Sequence, residues 1–307
     1  MTLIAEALGT GDWRGAEMVE SDSWRIRLGS AHRAELRAAV DAVESRGLEP
    51  GDFSHEDFPL PTLGPVLHGL VGELMEGRGF ALVQGAPVAG LSERQCDILA
   101  LGIGRHVGRT VPQNEGLQLQ HVRDVGVDAS GSTTRSYQHS GPLGYHADPN
   151  DIVALLCVRP AQSGGLSRIV SSVAVHNEIV ATRPDLAEVL YRPWWRDLRS
   201  GDGPDSFHQR PVYAVDADGR LTTDYGPDYM RSALRGAHVP PFSPEQLEAM
   251  DLLDRLNNDP RFMLTMDLRT GDMQFLNNHV TLHSRTRYVD HPDPDRSRDL
   301  IRIWLNT

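Results

Sequence analysis

From Asp151 to Val158 the chain carries Ile152, Val153, Ala154, Leu155, Leu156, Cys157 and Val158 in succession, an apolar run with no alternation. Side chains of a strand point alternately to its two faces, so a strand that is apolar at every position must be covered on both. The run is too short for an ordinary core helix and reads as such a strand. Whatever else the fold contains, it must place apolar layers on either side of this segment.

Further strands are predicted at Phe80 to Gly85, Leu117 to Val125, Leu166 to Val173, Phe262 to Leu268, Met273 to Leu276 and Leu300 to Leu305. Helical spacing runs through Ala31 to Arg46, where Leu36, Ala39, Val40 and Val43 share a face, and through Leu63 to Met75 and Glu93 to Val107. It returns over Val175 to Leu190, across the Arg183-Pro184 break. Ser243-Pro244-Glu245 opens a helix to about Asn257, with serine as N-cap and proline at the first helical position. Val212 to Val215 and Arg220 to Thr223 flank Asp216-Ala217-Asp218-Gly219, a hairpin signal. Strands at both ends of the second half, with helices between them, point to a mainly β fold with inserted helices and a closed or double-sheet core, not to an alternating βαβ sheet. One domain is expected over residues 1–307, with 1–60 as a partly helical N-terminal extension.

All 30 basic side chains are arginine, and lysine is absent. A Schiff-base enzyme needs an amine that can lose its proton, and P-loop and protein-kinase sites need a lysine at the phosphates, so these classes are excluded. The net charge of -12 argues against nucleic-acid or anionic-membrane partners, which bind cationic surfaces. No stretch is long and apolar enough to span a membrane, and the first residues lack the basic start and apolar run of a secretory leader. Cys96 and Cys157, both in apolar surroundings, read as buried free thiols. The expectation is a cytoplasmic protein acting on a small molecule, with homo-oligomers left open.

Chance placement of 13 histidines and 42 acids gives about two His-x-acid triplets, and the chain has four: His55 with Asp57, His146 with Asp148, His176 with Glu178, and His291 with Asp293. His55 lies in a polar approach to a Pro-rich loop, His176 in a predicted helix and His291 in a Pro/Asp loop, and solvated side chains are expected there. His146 instead precedes the most apolar strand. On an extended segment residues i and i+2 face the same way, so this imidazole and carboxylate can hold one metal ion. The segment Asn277 to His283 offers His279 and His283 as a third ligand. Two histidines and a carboxylate on one face of an octahedron leave three adjacent positions open, which suits non-haem Fe(II) binding a cosubstrate and O2 together. A zinc or manganese hydrolase using the same ligands and a metal-bound water is a second reading. A non-enzymatic jelly-roll binding protein with structural histidines is a third.

With these residues placed, the sequence resembles the TauD/TfdA-type Fe(II)/2-oxoglutarate-dependent oxygenases. The resemblance rests on Gly77 to Gly85, on Tyr145-His146-Ala147-Asp148, on Arg159 to Ser167, on Phe275-Leu276-Asn277-Asn278 through His283, and on Arg298 to Leu305, in the family's order. It implies a double-stranded β-helix (jelly-roll, cupin-like) core. It also implies Fe(II) held by His146, Asp148 and His283, the spacing from asparagine to histidine selecting His283 and leaving His279 a structural role. Arg302 then matches the clamp for the remote carboxylate of 2-oxoglutarate, which a guanidinium can hold through two parallel hydrogen bonds. Ser167 stands where the family has a threonine bonded to the same cosubstrate.

Arg298 is the alternative clamp. Ile301, Ile303, Trp304 and Leu305 surround Arg302, whereas Ser297 and Asp299 flank Arg298, which is therefore expected near the exposed start of the strand and paired with an acid. Arg285, just after the distal histidine, is a candidate substrate contact. The implied reaction oxidises an unactivated C–H bond, most simply by hydroxylation, while 2-oxoglutarate and O2 become succinate and CO2; desaturation and cyclisation stay open. Asp148 argues against halogenation, for which relatives carry a small residue in its place. Asp290 to Asp295 and Gly141 to Gly144 depart from the taurine enzymes where a substrate would enter, so the expected substrate is an amino-acid-like molecule or a secondary metabolite instead of taurine.

Overall fold

In the computed structural model, which describes residues 6, 7, 9, 11–113, 116–127, 138–199 and 203–307, the apolar run lies mid-sheet with both faces covered. The strands of the two main sheets are, in chain order, β1 (Arg25–Arg27), β2 (Phe80–Gln84), β3 (Arg109–Val111), β4 (Leu119–Val122), β5 (Leu143–His146), β6 (Ile152–Arg159), β7 (Ser167–Ser171), β8 (Leu264–Met266), β9 (Met273–Asn277), β10 (Thr281–Arg285) and β11 (Asp299–Asn306). The larger sheet has the order β1-β2-β9-β6-β11-β3, with β4 also on the outer edge of β11. The smaller has the order β8-β7-β10-β5. Among the described residues, only β1 and β2 pair in parallel. From β4 onward the chain passes between the sheets: β4, β6, β9 and β11 lie in the larger, β5, β7, β8 and β10 in the smaller.

Side-chain alternation along β6 shows why the run had to be apolar throughout. Val153 and Cys157 point into the space between the sheets, with Phe80, Leu82, Ile169, Leu276 and Leu300. Ile152, Ala154 and Leu156 point the other way, into a layer formed by the helices Ser30–Ser45, Leu63–Met75 and Glu93–Arg105. A third cluster covers the smaller sheet's outer face, where Val170 and Leu282 meet the helices Ser172–Thr182, Pro184–Leu190 and Pro244–Asn257. Each side chain fully buried in these layers contributes about 1.5–3 kcal/mol. Glu93–Arg105 starts at Ser92, whose hydroxyl accepts from the Gln95 amide. It approaches β11 closely because residue 104 is glycine: an added Cβ there would run into Ile303.

Helix and strand share the chain more evenly than a mainly β reading implies. The helical pattern over Val175 to Leu190 is two helices, broken at the predicted Arg183-Pro184 step. Residues 25–45 are less an extension than part of the body, since β1 prolongs the larger sheet and Leu36, Ala39, Val40 and Val43 enter its core. Polar residues hide strands β5 and β10 in the sequence; all five residues of β10 are buried. Cys96 and Cys157 are buried free thiols, and burial pushes them up to about 11 and about 12. Among the described residues no helix is long and apolar enough to cross a membrane.

The start of β11 is held by charge. Asp299 is 1% exposed; it accepts from His121 Nδ1 at 2.8 Å and from Arg123 Nε and Nη2, both at 2.8 Å. His121 Nε2 lies 3.1 Å from Asp97 on the Glu93–Arg105 helix. Burial would lower the imidazole's pKa, but the bonds to Asp299 and Asp97 outweigh it and raise His121 to about 9. Below about pH 6.5, the ordinary value, His121 is charged folded or unfolded and the contribution is complete; it is lost as pH rises through about 9. We predict that the stability difference between wild type and His121→Gln, from urea unfolding, is on the order of 2–3 kcal/mol at pH 6 and shrinks toward pH 9.5. A constant difference would show that the network does not depend on a charged imidazole.

Candidate functional site

His146 ends β5 and His283 lies opposite it on β10, so strand pairing alone puts the two rings 4.2 Å apart between centroids. Asp148 follows in the turn that leads to β6. Its Oδ1 is 3.9 Å from His146 Nε2 and its Oδ2 is 4.0 Å from His283 Nε2. The three donor atoms lie within 4.8 Å of one another, the only such trio among the described residues. His146 Nδ1 faces the Gly144 carbonyl at 2.9 Å, which assigns the proton to Nδ1 and turns the Nε2 lone pair toward Asp148. His283 is pushed down to about 3 by burial and by the neighbouring His146, so it presents a neutral imidazole. Two imidazole nitrogens and one ionised carboxylate, held on one side of a cavity, fit a divalent transition metal.

The surroundings of Asp148 keep it ionised and oriented. Burial would raise its pKa, but the Arg302 guanidinium and a hydrogen bond from Trp304 help to hold it below the usual carboxylate range. Trp304 Nε1 donates to Oδ2 at 3.0 Å. The Asp148 amide donates to Asn278 Oδ1 at 3.0 Å, and Asn278 Nδ2 donates to the Asn150 carbonyl at 3.0 Å, so one asparagine staples the ligand turn to the β9–β10 turn. Sequence reasoning assigns neither Trp304 nor Asn278 to the site. Trp304 was findable, because it lies two residues beyond Arg302 on one strand face; Asn278 carries no such signal.

The remaining sequence candidates separate clearly. His279 pairs with Asp151 at 2.9 Å and stands apart from the trio. Asp57 is bonded to Arg46 and Ser54. His176 is not solvated, as expected of it, but 1% exposed, its ring nitrogens bonded to Asn177 and Tyr191 within the helical layer. Ser167 is buried and donates to Gln274 Oε1 at 3.0 Å. Arg285 lies opposite Ser167 in the β7–β10 register, donates to the carbonyls of His139 and Gly141, and does not line the main cavity.

Arg302 places Nη1 3.9 Å from Asp148 Oδ1 and donates through Nε to Gln113 Oε1 at 2.8 Å. Arg298 overturns the expectation of exposure and an acid partner. It is 4% exposed, lies over the Tyr288 ring and reaches the Val122 carbonyl at 3.4 Å, with no ion pair among the described residues. Burial lowers its pKa. The reason is physical: Ser297 and Asp299 look like exposed flanks, but the His121 and Arg123 network draws this end of the strand inward.

A cavity of about 760 Å³ opens on His146, Asp148, Arg302 and Trp304 and extends to the hairpin formed by Trp194–Asp197 and Phe207–Arg210. Its size suits a small molecule.

The geometry makes two outcomes testable. Asp148→Ala should abolish Fe(II) retention, measured by chelator competition, while Asp57→Ala and Asp293→Ala leave it unchanged; comparable loss in either control would move the metal to another triplet. Trp304→Phe keeps the ring and removes one charge-assisted hydrogen bond, so Fe(II) affinity should fall roughly 10–100-fold with the fold intact by circular dichroism. Unchanged affinity would show that the indole does not orient the carboxylate.

Comparison with known proteins shows what the chain is similar to. Residues 44–304 match the taurine catabolism dioxygenase TauD, TfdA family. FR-33289 synthase of Streptomyces rubellomurinus (strain ATCC 31215) is 29% identical, over 97% of this chain and 89% of that protein. The taurine hydroxylase-like protein SAT17 of Stachybotrys chartarum (strain CBS 109288 / IBT 7711) is 29% identical, over 95% and 77% respectively. An asparagine oxygenase solved with Fe(II), 2S,3S-3-hydroxyasparagine and succinate superposes with a TM-score of 0.72 at 18% identity, over 92% of this chain and 94% of that one.

Proposed function

The chain belongs to the taurine catabolism dioxygenase TauD, TfdA family, and is thus a dioxygenase working with Fe(II) and 2-oxoglutarate, and from that premise we propose that it oxidises a C–H bond of a small molecule, most simply by hydroxylation. The observation that carries this reading is the convergence of His146, Asp148 and His283 at one end of a cavity. We read the alternation of strands between the two sheets as a double-stranded β-helix, and the whole chain as one oxygenase domain. With iron, 2-oxoglutarate and O2 bound, such a site couples conversion of the keto acid to succinate and CO2 with oxidation of the substrate carbon.

The residues divide the work. His146, Asp148 and His283 hold the metal. Trp304 and Asn278 fix the carboxylate and its turn, and burial keeps the His283 imidazole neutral and available as a ligand. With 2-oxoglutarate held through its keto-acid end, its second carboxylate would need a cation away from the metal ligands. Arg302, against a ligand oxygen, is too near the centre to take it. Arg298 suits the role better: it is buried immediately before the same strand and has no ion-pair partner among the described residues. It also lies against Gly165, where a Cβ would come within 3.2 Å of its Nε. Gly165 leads into β7 and Ser167, which supplies a hydroxyl nearby. This reverses the assignment favoured by sequence context and leaves Arg302 facing the substrate cavity. An amino-acid-like molecule or a secondary metabolite is the substrate class we propose, in keeping with the cavity's size and with the amino-acid product bound in the asparagine oxygenase.

Anaerobic addition of Fe(II) and 2-oxoglutarate should give a weak visible charge-transfer band, and titrating it reads cosubstrate affinity. A buried ion pair truncated on one side costs about 3–5 kcal/mol, so Arg298→Ala should raise the 2-oxoglutarate Kd by roughly two orders of magnitude or more. Arg302→Ala should change it by less than about tenfold. The reverse order would return the clamp to Arg302; no band in protein that binds Fe(II) would defeat the oxygenase reading.

A further inference from the structure

We propose that the hairpin wall of the cavity is an oxyanion subsite, in which Arg196, His208 and Arg210 receive an anionic group of the substrate remote from the carbon oxidised. The proposal rests on reading the cavity as the substrate chamber. Strand Trp194–Asp197 pairs antiparallel with Phe207–Arg210, with Arg196 directly opposite His208 and Trp194 opposite Arg210. Alternation along the strands puts Arg196, His208 and Arg210 on one face. All three line the cavity that contains His146, Asp148 and Arg302.

Their charge is not balanced by the protein. The Arg196 side chain is only 5% exposed, and its one ion-pair partner among the described residues is Asp224, Nε to Oδ1 at 3.5 Å. That carboxylate is itself 44% exposed and is shared with Arg210 at 3.8 Å, so two guanidiniums answer to one acid. Arg196 Nη2 donates to the carbonyls of Pro211 and Asp224, which are neutral acceptors. Arg196 Nε and Nη1 and His208 Nδ1 are buried without a hydrogen-bond partner.

The other acids on the wall do not close the deficit. Both oxygens of Asp197 are taken by Arg235, at 2.7 and 3.0 Å. Asp148 is committed to the metal side, and Asp228 is exposed and forms no ion pair with these groups among the described residues. A buried guanidinium with unsatisfied donors is costly unless an anion meets it. Two guanidiniums and an imidazole match the several acceptor oxygens of a phosphonate, phosphate, sulfonate or carboxylate.

Calorimetric titration tests this with phenylphosphonate, benzenesulfonate and phenylacetate as probes and benzyl alcohol as the neutral control. Each probe is added to anaerobic protein loaded with Fe(II) and 2-oxoglutarate, and separately to metal-free protein. At least one oxyanion should bind both forms, and benzyl alcohol neither; the order among the three separates tetrahedral anions from carboxylate. Arg210→Gln and His208→Gln should each weaken binding by roughly tenfold or more. Arg210 is 66% exposed, so that variant folds whether or not Arg196→Gln does. Absence of oxyanion binding, or variants that bind like wild type, would overturn the subsite. Probe binding without the charge-transfer band would defeat the oxygenase reading and leave the subsite standing; the band without probe binding would do the opposite.

Discussion

Asp148 is an ionised carboxylate whose side chain is only 8% exposed, and such a group costs several kcal/mol to bury unless charges and hydrogen bonds replace its lost water. Those replacements come from both sheets: His146 and His283 from β5 and β10, Arg302 and Trp304 from β11, and Asn278 from the turn after β9. No single element could supply them. The site therefore exists only when the two sheets are packed in one register, and a slip of β11 by one residue would turn Arg302 and Trp304 outward and leave the carboxylate uncompensated.

Strand β11 carries this burden because its two faces have different tasks. Ile301, Ile303 and Leu305 anchor it in the helical layer. Leu300, Arg302 and Trp304 face the space between the sheets, and at its start Asp299 is gripped by His121 and Arg123. A strand fixed from outside by apolar packing and at its end by charge keeps Arg302 inside, with Arg298 buried just before its start. Arg302 then balances Asp148 while Arg298 stays uncommitted, which is the condition for one guanidinium to serve the metal centre and the other a separate anion.

Much of this is legible in the order of the residues. An unbroken apolar run demands a doubly covered strand, and β6 is one. Strand context picks His146 and Asp148 out of four triplets, and those two residues do meet His283. Local context fails where burial is decided by residues far away along the chain. Arg298 has polar neighbours that suggest exposure, but Tyr288, Gly165 and Val122 enclose it. His176 sits in a triplet that looks solvated and is in fact a core residue bonded to Tyr191. β10 does not show itself as a strand because Thr281, His283, Ser284 and Arg285 disguise five buried positions. Arg196 and His208 give no signal either, since they share a wall only through the pairing of a hairpin whose strands lie ten or more residues apart.

The two halves of the cavity are built on different principles. The candidate metal end is embedded between sheets, where Asp148 is tied across layers to Trp304, Asn278 and Arg302, and changing one of these leaves a buried carboxylate to bear more of the cost of desolvation. The hairpin end lies outside the main sheets: Asp197 is taken by Arg235, while Arg196 and Arg210 meet Asp224 and, for Arg196, neutral carbonyls. Substitutions there leave the partners of Asp148 in place. A fold arranged this way separates the charges of the hairpin from those that hold the sheets together, so the one set can vary while the other stays fixed.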